Sequence, residues 1–98
     1  MLAKVHKSPN GVIIAICDRE LIDKKFVDGK LQLDLTSNFY KGQEFSEADL
    51  LDLCKKAYLI NLVGEKSLDF ALKNKLMDKE KVLRIKGIPI YQTMIVRE

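Results

Sequence analysis

The apolar run at residues 12–17 (Val-Ile-Ile-Ala-Ile-Cys) constrains the fold of this chain more than any other feature of the sequence. It is rich in β-branched side chains, which is typical of a strand that is covered on both faces or central in a sheet. Residues 2–7 alternate apolar and polar side chains, as a half-buried strand does. The Ser-Pro-Asn-Gly turn signal at residues 8–11 lies between the two segments. We therefore predict an antiparallel hairpin at the N-terminus.

Strand and helix signals follow one another along the next part of the chain. Leu31, Leu33 and Leu35 alternate with polar residues and predict a strand whose leucines face the core. After a loop at residues 36–45, Ser46 is a good N-cap for a helix. The apolar positions of that helix fall on one stripe. They are Leu50, Leu53, Cys54, Ala57 and Tyr58.

Weaker signals fill the remaining segments. Asp18 can cap a short helical turn over residues 20–25. Residues 59–64 are ambiguous between a helix end, a connector and a short strand. A second helix is predicted from about Glu65 to Asn74. Asn74-Lys75 is its predicted left-handed stop, because asparagine is the non-glycine residue best suited to that backbone.

The C-terminal third of the chain predicts a second hairpin. Residues 78–81 form a charged turn, and strands are predicted at residues 82–86 and 90–96 with a turn at residues 87–89. Strands before and after a helical pair predict an α+β domain. Its sheet is mainly antiparallel with about five strands, and two helices pack on one face.

Composition limits the class of protein. At 98 residues the chain is predicted to be one domain, spanning residues 1–98. Its content of 47% hydrophobic and 32% charged residues excludes a wholly disordered chain. No apolar run approaches the ~20 residues of a membrane-spanning helix. The N-terminal residues lack the apolar core of a secretion signal, so we expect a cytoplasmic protein.

The reactive side chains do not form a recognisable catalytic or metal site. Cys17 and Cys54 each fall in an apolar pattern, so we expect two buried thiols, with a disulfide or redox pair as the alternative. His6 is the one histidine, and no side chains have the spacing of a zinc ligand set. His6 also has no nucleophile and no acid at the spacing of a catalytic triad. The sequence favours a protein without metal, cofactor or catalytic activity.

The net charge of +3 is unevenly distributed along the chain. Residues 71–98 carry seven basic and three acidic side chains, whereas residues 31–70 carry four basic and seven acidic ones. Such a basic segment is compatible with nucleic-acid contact. If the first strand and the strand at 82–86 share a solvent-facing side, their cations form a basic patch; otherwise they are ordinary charges of solvated strands. The candidate RNA-contacting residues are Lys4, His6, Lys7, Tyr40, Lys41, Arg84 and Lys86.

Two aromatic residues in the loop at 36–45 are candidates for base stacking. Phe39 and Tyr40 precede Lys41 and Gly42, and an exposed aromatic ring can stack on an unpaired base while lysine contacts phosphate. We expect Phe39 to plug the edge of the core. For Tyr40, base stacking and covering of the core are equally open.

The segment Gly64-Glu65-Lys66-Ser67 only partly resembles a phosphate-binding loop. Glu65 interrupts the required Gly-Lys step, and Leu59 stands where the first glycine should be. The N-terminus of a helix can still bind an anion through its free amides. Simple initiation of the helix is the favoured interpretation.

Five short motifs are spread over nearly the whole chain. They are His6-Lys7-Ser8-Pro9-Asn10-Gly11, Cys17-Asp18-x-Glu20-Leu21, Phe39-Tyr40-x-Gly42, Asn61-Leu62-Val63-Gly64-Glu65 and Gly87-Ile88-Pro89. In this order they resemble the archaeal domain-of-unknown-function family 424, whose members are small cytoplasmic proteins. The resemblance implies an RNA-binding or translation-associated role with no established catalytic activity. The positions that it implies for the family pattern are Phe39, Gly42, Asn61, Gly64, Glu65, Gly87 and Pro89.

The chain departs from the family pattern at two positions. Ile60 stands where the family has alanine, and Ile90 stands where a histidine follows the Gly-x-Pro turn. If that histidine carries chemistry in relatives, this chain lacks it, which weakens an enzymatic interpretation.

Three functions follow from these observations. The first is a small cytoplasmic RNA- or ribonucleoprotein-binding accessory protein associated with translation. The alternative is a protein–protein interaction module without a nucleic-acid ligand, such as a homodimer joined through an open sheet edge of the last hairpin, with Ile90, Met94 and Val96. The third is an enzyme or nucleotide binder that uses the helix start at Gly64. A continuous positive face favours RNA, and an exposed apolar patch favours a protein partner.

Overall fold

The computed structural model describes residues 1–77 and 81–95. The strands are β1 (Leu2–Ser8), β2 (Gly11–Cys17), β3 (Lys25–Asp28), β4 (Leu31–Asp34), β5 (Gln43–Glu44), β6 (Leu59–Val63), β7 (Leu83–Ile85) and β8 (Ile88–Met94). The helices are α1 (Glu47–Lys56), α2 (Glu65–Lys73) and a short 3-10 helix (Arg19–Leu21). None of the helices in this described part is long and apolar enough to span a membrane.

Six strands form the main sheet in the order β5-β1-β2-β6-β8-β7, and β3 and β4 form a separate two-stranded sheet. Among the described strands of the main sheet, β2 and β6 are parallel and the other neighbours are antiparallel. The predicted α+β class, with a mainly antiparallel sheet and two helices on one face, is confirmed. The main sheet has six strands because it includes Gln43–Glu44 and Leu59–Val63, whereas the predicted strand at residues 31–35 pairs with β3 in the separate sheet.

Two cores explain why the run at residues 12–17 is apolar throughout. Ile14 and Ile16 pack under α1 and α2, with the helix residues Leu50 and Phe70. Cys17 packs on the opposite face, where the β3–β4 sheet and its flanking loops contribute a second core. Both faces of β2 are therefore covered, as the sequence predicts.

The start of α1 lies where the sequence predicts it. The hydroxyl oxygen of Ser46 accepts a hydrogen bond from the Asp49 amide at 3.2 Å, which is the contact of an N-cap. On the apolar stripe Leu50 and Cys54 are fully buried, whereas Leu53 is only partly buried. The buried part of the stripe is therefore centred on Leu50 and Cys54.

The end of α2 and the start of β8 each differ slightly from the prediction. Helix α2 ends with Lys75 in the left-handed region at φ 58, while Asn74 has φ −98. The last turn consists of Lys86 and Gly87, at φ 52 and 78, which is the backbone of a type I′ hairpin. The strand β8 consequently begins at Ile88 instead of after the Gly-Ile-Pro segment.

Two further predictions fall on the hairpins. Leu33 and Leu35 are buried as predicted, but Leu31 is 46% exposed because it lies beside the turn of the β3–β4 hairpin. The last hairpin lies at one edge of the sheet with β7 outermost. Ile90 packs against the second core, whereas Met94 is 58% exposed. Residues 78–80 and Val96 lie outside the described residues.

Both cysteines are free and fully buried. Burial raises the pKa of the Cys17 thiol, and of the Cys54 thiol, from the ordinary 9.0 to about 12. The thiolate is the form that reacts. We expect slow thiol labelling of the native protein at neutral pH and fast labelling after unfolding. Rapid labelling of native Cys17 would contradict its burial.

The raised thiol pKa values also predict a loss of stability at alkaline pH. The unfolded chain loses its thiol protons near pH 9, whereas the folded chain keeps them to about pH 12. The contribution of the two thiols is present below about pH 9 and is lost as the pH rises towards about 12. Denaturation between about pH 7 and about pH 10 should show this decline. A variant with alanine at both positions should show a flatter profile.

Candidate nucleic-acid interface

The loop at residues 36–42 crosses one face of the sheet and is held there by β1. The Lys4 ammonium donates to the Asn38 carbonyl at 2.9 Å, and His6 Nε2 lies 2.8 Å from the Phe39 carbonyl. The His6 and Phe39 rings are stacked, with centroids 4.4 Å apart and 10° between their planes. Alternation along β1 places Lys4 and His6 on the same face, so that two successive contacts fix the loop.

The two aromatic residues of this loop have opposite environments. The Phe39 side chain is 37% exposed, so the prediction that it plugs the core edge is wrong. Tyr40 instead packs against the second core, and burial raises its pKa to about 12. The exposed ring available for stacking is therefore Phe39. Sequence reasoning missed this because neighbouring loop residues carry no periodicity that distinguishes the inner side chain from the outer one.

The register of the strands defines a part of the same face that is only partly covered, with Ala15 of β2 buried and Met94 of β8 exposed. Residues paired across neighbouring strands present their side chains on the same side of a sheet. One row contains His6, Ile13, Leu59 and Met94, and the adjacent row contains Lys4, Ala15, Asn61 and Gln92. We call these two rows, together with Phe39, the open sheet face. The next row, which includes Cys17, Val63 and Ile90, is covered by the second core.

The open sheet face combines an aromatic ring, apolar side chains and amides. Phe39 and His6 lie at one side of it, and Met94 lies at the other. Asn61 of β6 is paired in register with Gln92 of β8. Asn61 could have been assigned to this face from the alternation of residues 59–63, once that segment is recognised as a strand.

The candidate cations do not form one basic patch. The strands β2, β6 and β8 separate β1 from β7, which corresponds to about 19 Å between Lys4 and the strand of Arg84. Arg84 is bound to the Glu65 carboxylate, and Lys41 pairs with Asp23 at 2.7 Å. Their charges are locally compensated.

The remaining cations also lie on different surfaces. Alternation along β1 turns Lys7 to the helix side of the sheet, away from Lys4 and His6. Lys86 lies in the β7–β8 turn. The structure therefore brings Lys4 and His6 together with Phe39, whereas Lys7, Arg84 and Lys86 lie elsewhere. Lys41 lines a cavity with Lys4, and its charge is paired with Asp23.

The helix start at Gly64 is occupied by a carboxylate of the chain itself. Asp18 is buried, and its side chain accepts hydrogen bonds from the amides of Lys66 at 3.0 Å and Ser67 at 2.8 Å. It also accepts from the Ser67 hydroxyl at 2.8 Å. Asp18 makes no side-chain bond to the 3-10 helix that follows it, so its predicted role as a local cap is wrong. The position at which an external anion would bind is filled.

The family-pattern positions lie in two places. Phe39 and Asn61 belong to the open sheet face, and Gly42 packs against the backbone of Ala3. The others line a cavity of about 210 Å³ beside Asp18, and they are Gly64, Glu65, Gly87 and Pro89. Among residues 1–77 and 81–95, no group of three or more His, Cys, Asp or Glu side chains is placed to hold a metal ion.

The fold and this face define a small α+β protein with helices on one side of a mixed sheet and a partly uncovered opposite side. A family model described as "Protein of unknown function (DUF424)" matches residues 6–96. The chain therefore belongs to the DUF424 family.

A solved structure shares the fold. The crystal structure of an uncharacterized conserved protein from Methanopyrus kandleri matches with a TM-score of 0.81 at 20% sequence identity. The match covers 99% of this chain and 93% of that one. No curated protein matches the chain.

Proposed function

We propose that this protein binds single-stranded RNA on the open sheet face, as a cytoplasmic accessory of a ribonucleoprotein particle in translation. The observation that carries the proposal is the exposed Phe39 ring, held in place by stacking on His6 beside a partly exposed sheet surface. Unpaired bases stack on aromatic rings whatever their sequence, and each such contact contributes about 1–3 kcal/mol.

The polar groups around Phe39 suit the same ligand. The amides of Asn61 and Gln92 each carry donors and an acceptor, which can pair with the edges of a splayed base. Lys4 supplies a positive charge on the same face, and its amine already donates to a loop carbonyl. Because Lys7, Arg84 and Lys86 lie away from the face and Lys41 is paired with Asp23, electrostatic attraction is small. We expect micromolar or weaker affinity with a shallow salt dependence.

We expect Phe39→Ala to weaken binding of single-stranded RNA by about fivefold to a hundredfold, with little change in the salt slope, because stacking is lost and charge is not. Lys4→Gln keeps a hydrogen-bond donor but removes the charge. It should therefore lower the slope of log affinity against log salt concentration by somewhat less than one unit. The measurement is fluorescence anisotropy with a labelled uridine-rich oligonucleotide over a salt series. Val27→Ala is the matched control, because Val27 is an exposed apolar residue in β3.

A protein-interaction module is the second candidate, because Met94 adds an exposed apolar side chain to the face. Phe39→Leu distinguishes the two functions. Leucine keeps apolar area but cannot stack, so an RNA site loses most of its affinity whereas an apolar protein site retains most of it. Failure of the unaltered protein to bind RNA or ribosomal particles at low salt would contradict the RNA proposal and favour the protein partner.

A further inference from the structure

The outer edge of β1 is only partly paired within the described residues. Its neighbour β5 pairs with Leu2 and Ala3 alone. Beyond Ala3 the chain of β5 turns away at Gly42, which packs against the Ala3 carbonyl. Residues Val5 to Ser8 therefore continue along the edge without a neighbouring strand.

The hairpin geometry identifies which peptide groups are unpaired. Ser8 and Gly11 flank a two-residue turn, so they form a hydrogen-bonded pair, and bonded pairs recur at every second residue of β1. His6 and Lys4 are consequently bonded to β2. The N–H and C=O groups of Val5 and Lys7 point away from β2. An edge of this kind is a template for another extended chain.

A cavity lies beside this edge. Its volume is about 320 Å³, and Val5, Gly42 and Phe45 line its apolar part, with Lys4 and Lys41 at its rim. Val5 is 43% exposed although it faces the helix side of the sheet. An incoming strand that paired with Val5 could place one apolar side chain in this cavity.

The charges along the edge select the partner. Lys4 and Lys7 form no ion pair within residues 1–77 and 81–95. Two copies of β1 paired edge to edge through Lys7 would place like charges opposite each other, which is unfavourable for cross-strand neighbours. An acidic strand has the complementary charge.

We propose that the outer edge of β1 binds an extended acidic peptide segment of a protein partner by strand addition. The peptide pairs with the backbone of Val5 and Lys7, and an apolar side chain fills the cavity between Val5 and Phe45. Its carboxylates lie near Lys4, which alternation along β1 places on the side opposite Val5. This site shares Lys4 with the open sheet face, whereas Val5, Lys7 and the cavity lie outside that face.

The test uses a labelled synthetic peptide of alternating valine and glutamate with the full-length protein. We expect saturable binding by anisotropy and an approximately tenfold or greater slowing of hydrogen exchange at the Val5 and Lys7 amides. Two control peptides carry lysine in place of glutamate or N-methyl groups at alternate residues. Both should bind at least about tenfold more weakly.

Variants of Val5 provide an independent readout. Val5→Pro removes the outward N–H without breaking the ladder to β2, because proline is tolerated at edge positions. It should weaken binding of the peptide about tenfold or more. Val5→Thr keeps the N–H and should retain binding. RNA affinity should be unchanged in Val5→Thr, so the test of the peptide site is independent of the test of the open sheet face. Absence of peptide binding, binding without protection of Val5 and Lys7, or equal binding of the control peptides would overturn the proposal.

Discussion

Gly64→Ala is expected to lower the free energy of unfolding by about 3–5 kcal/mol, the larger of two effects predicted for this fold. Gly64 has φ +110, a backbone that L side chains rarely adopt. A Cβ atom there would collide with the Asp18 carboxyl group. The carboxylate would have to move, and the hydrogen bonds that it accepts from Lys66 and Ser67 would be lost. The measurement is equilibrium denaturation in urea.

Gly29→Ala is the matched control for this prediction. Gly29 also has positive φ, at +60, but no atom lies within 4 Å of the added Cβ. It should therefore cost only about 1 kcal/mol of backbone strain. Equal losses at the two glycines would show that contact with Asp18 is not the cause.

The coupling between Gly64 and Asp18 can be measured directly. In an Asp18→Ala background the collision is absent, so Gly64→Ala should cost little more than its backbone strain. The double-mutant cycle should therefore show a coupling of about 1–3 kcal/mol. Additive effects would mean that the two residues act separately.

Leu50→Ala is expected to destabilise the protein by about 2–5 kcal/mol. Leu50 is fully buried in the core beneath the helices, so truncation loses apolar contact and leaves a cavity. Leu53→Ala removes the same atoms from the same helix but from a partly buried position. We expect it to cost clearly less, by urea denaturation. The reverse order would show that α1 presents a different face to the sheet.

The local secondary structure of the chain could be predicted from the sequence because it depends on neighbouring residues. The alternation of residues 2–7, the apolar run at 12–17 and the N-cap at Ser46 each specify an element through contacts a few residues away. The α+β class follows from the order of those elements. Even the coverage of both faces of β2 could be predicted, because a strand with no polar face must be covered on both sides.

The sequence did not predict that residues 59–63 form a strand. Residues 59–63 are a short apolar segment, and periodicity alone does not separate such a strand from the end of a buried helix. Only pairing with β2 on one side and β8 on the other establishes it as the central strand. With that pairing, Asn61 comes to lie beside Gln92 on the open sheet face.

The role of Asp18 was likewise decided by tertiary structure. Its sequence neighbours predict a cap for the helical turn that follows, but β2 and β6 are parallel neighbours. Their ends carry Asp18 to the start of α2. Its three accepted hydrogen bonds come from residues almost half the chain away. No local pattern encodes a contact over that separation.

The candidate interface shows the same division between sequence and tertiary structure. The sequence by itself determined the residue types available for contact, namely aromatic rings in a loop and cations on strands. Only the tertiary structure decided that Phe39 is exposed, that Tyr40 is inside and that Arg84 lies far from Lys4. The reason is physical: side-chain exposure in a loop and distance across a sheet depend on strand order, which arises from long-range pairing and burial and not from neighbouring residues.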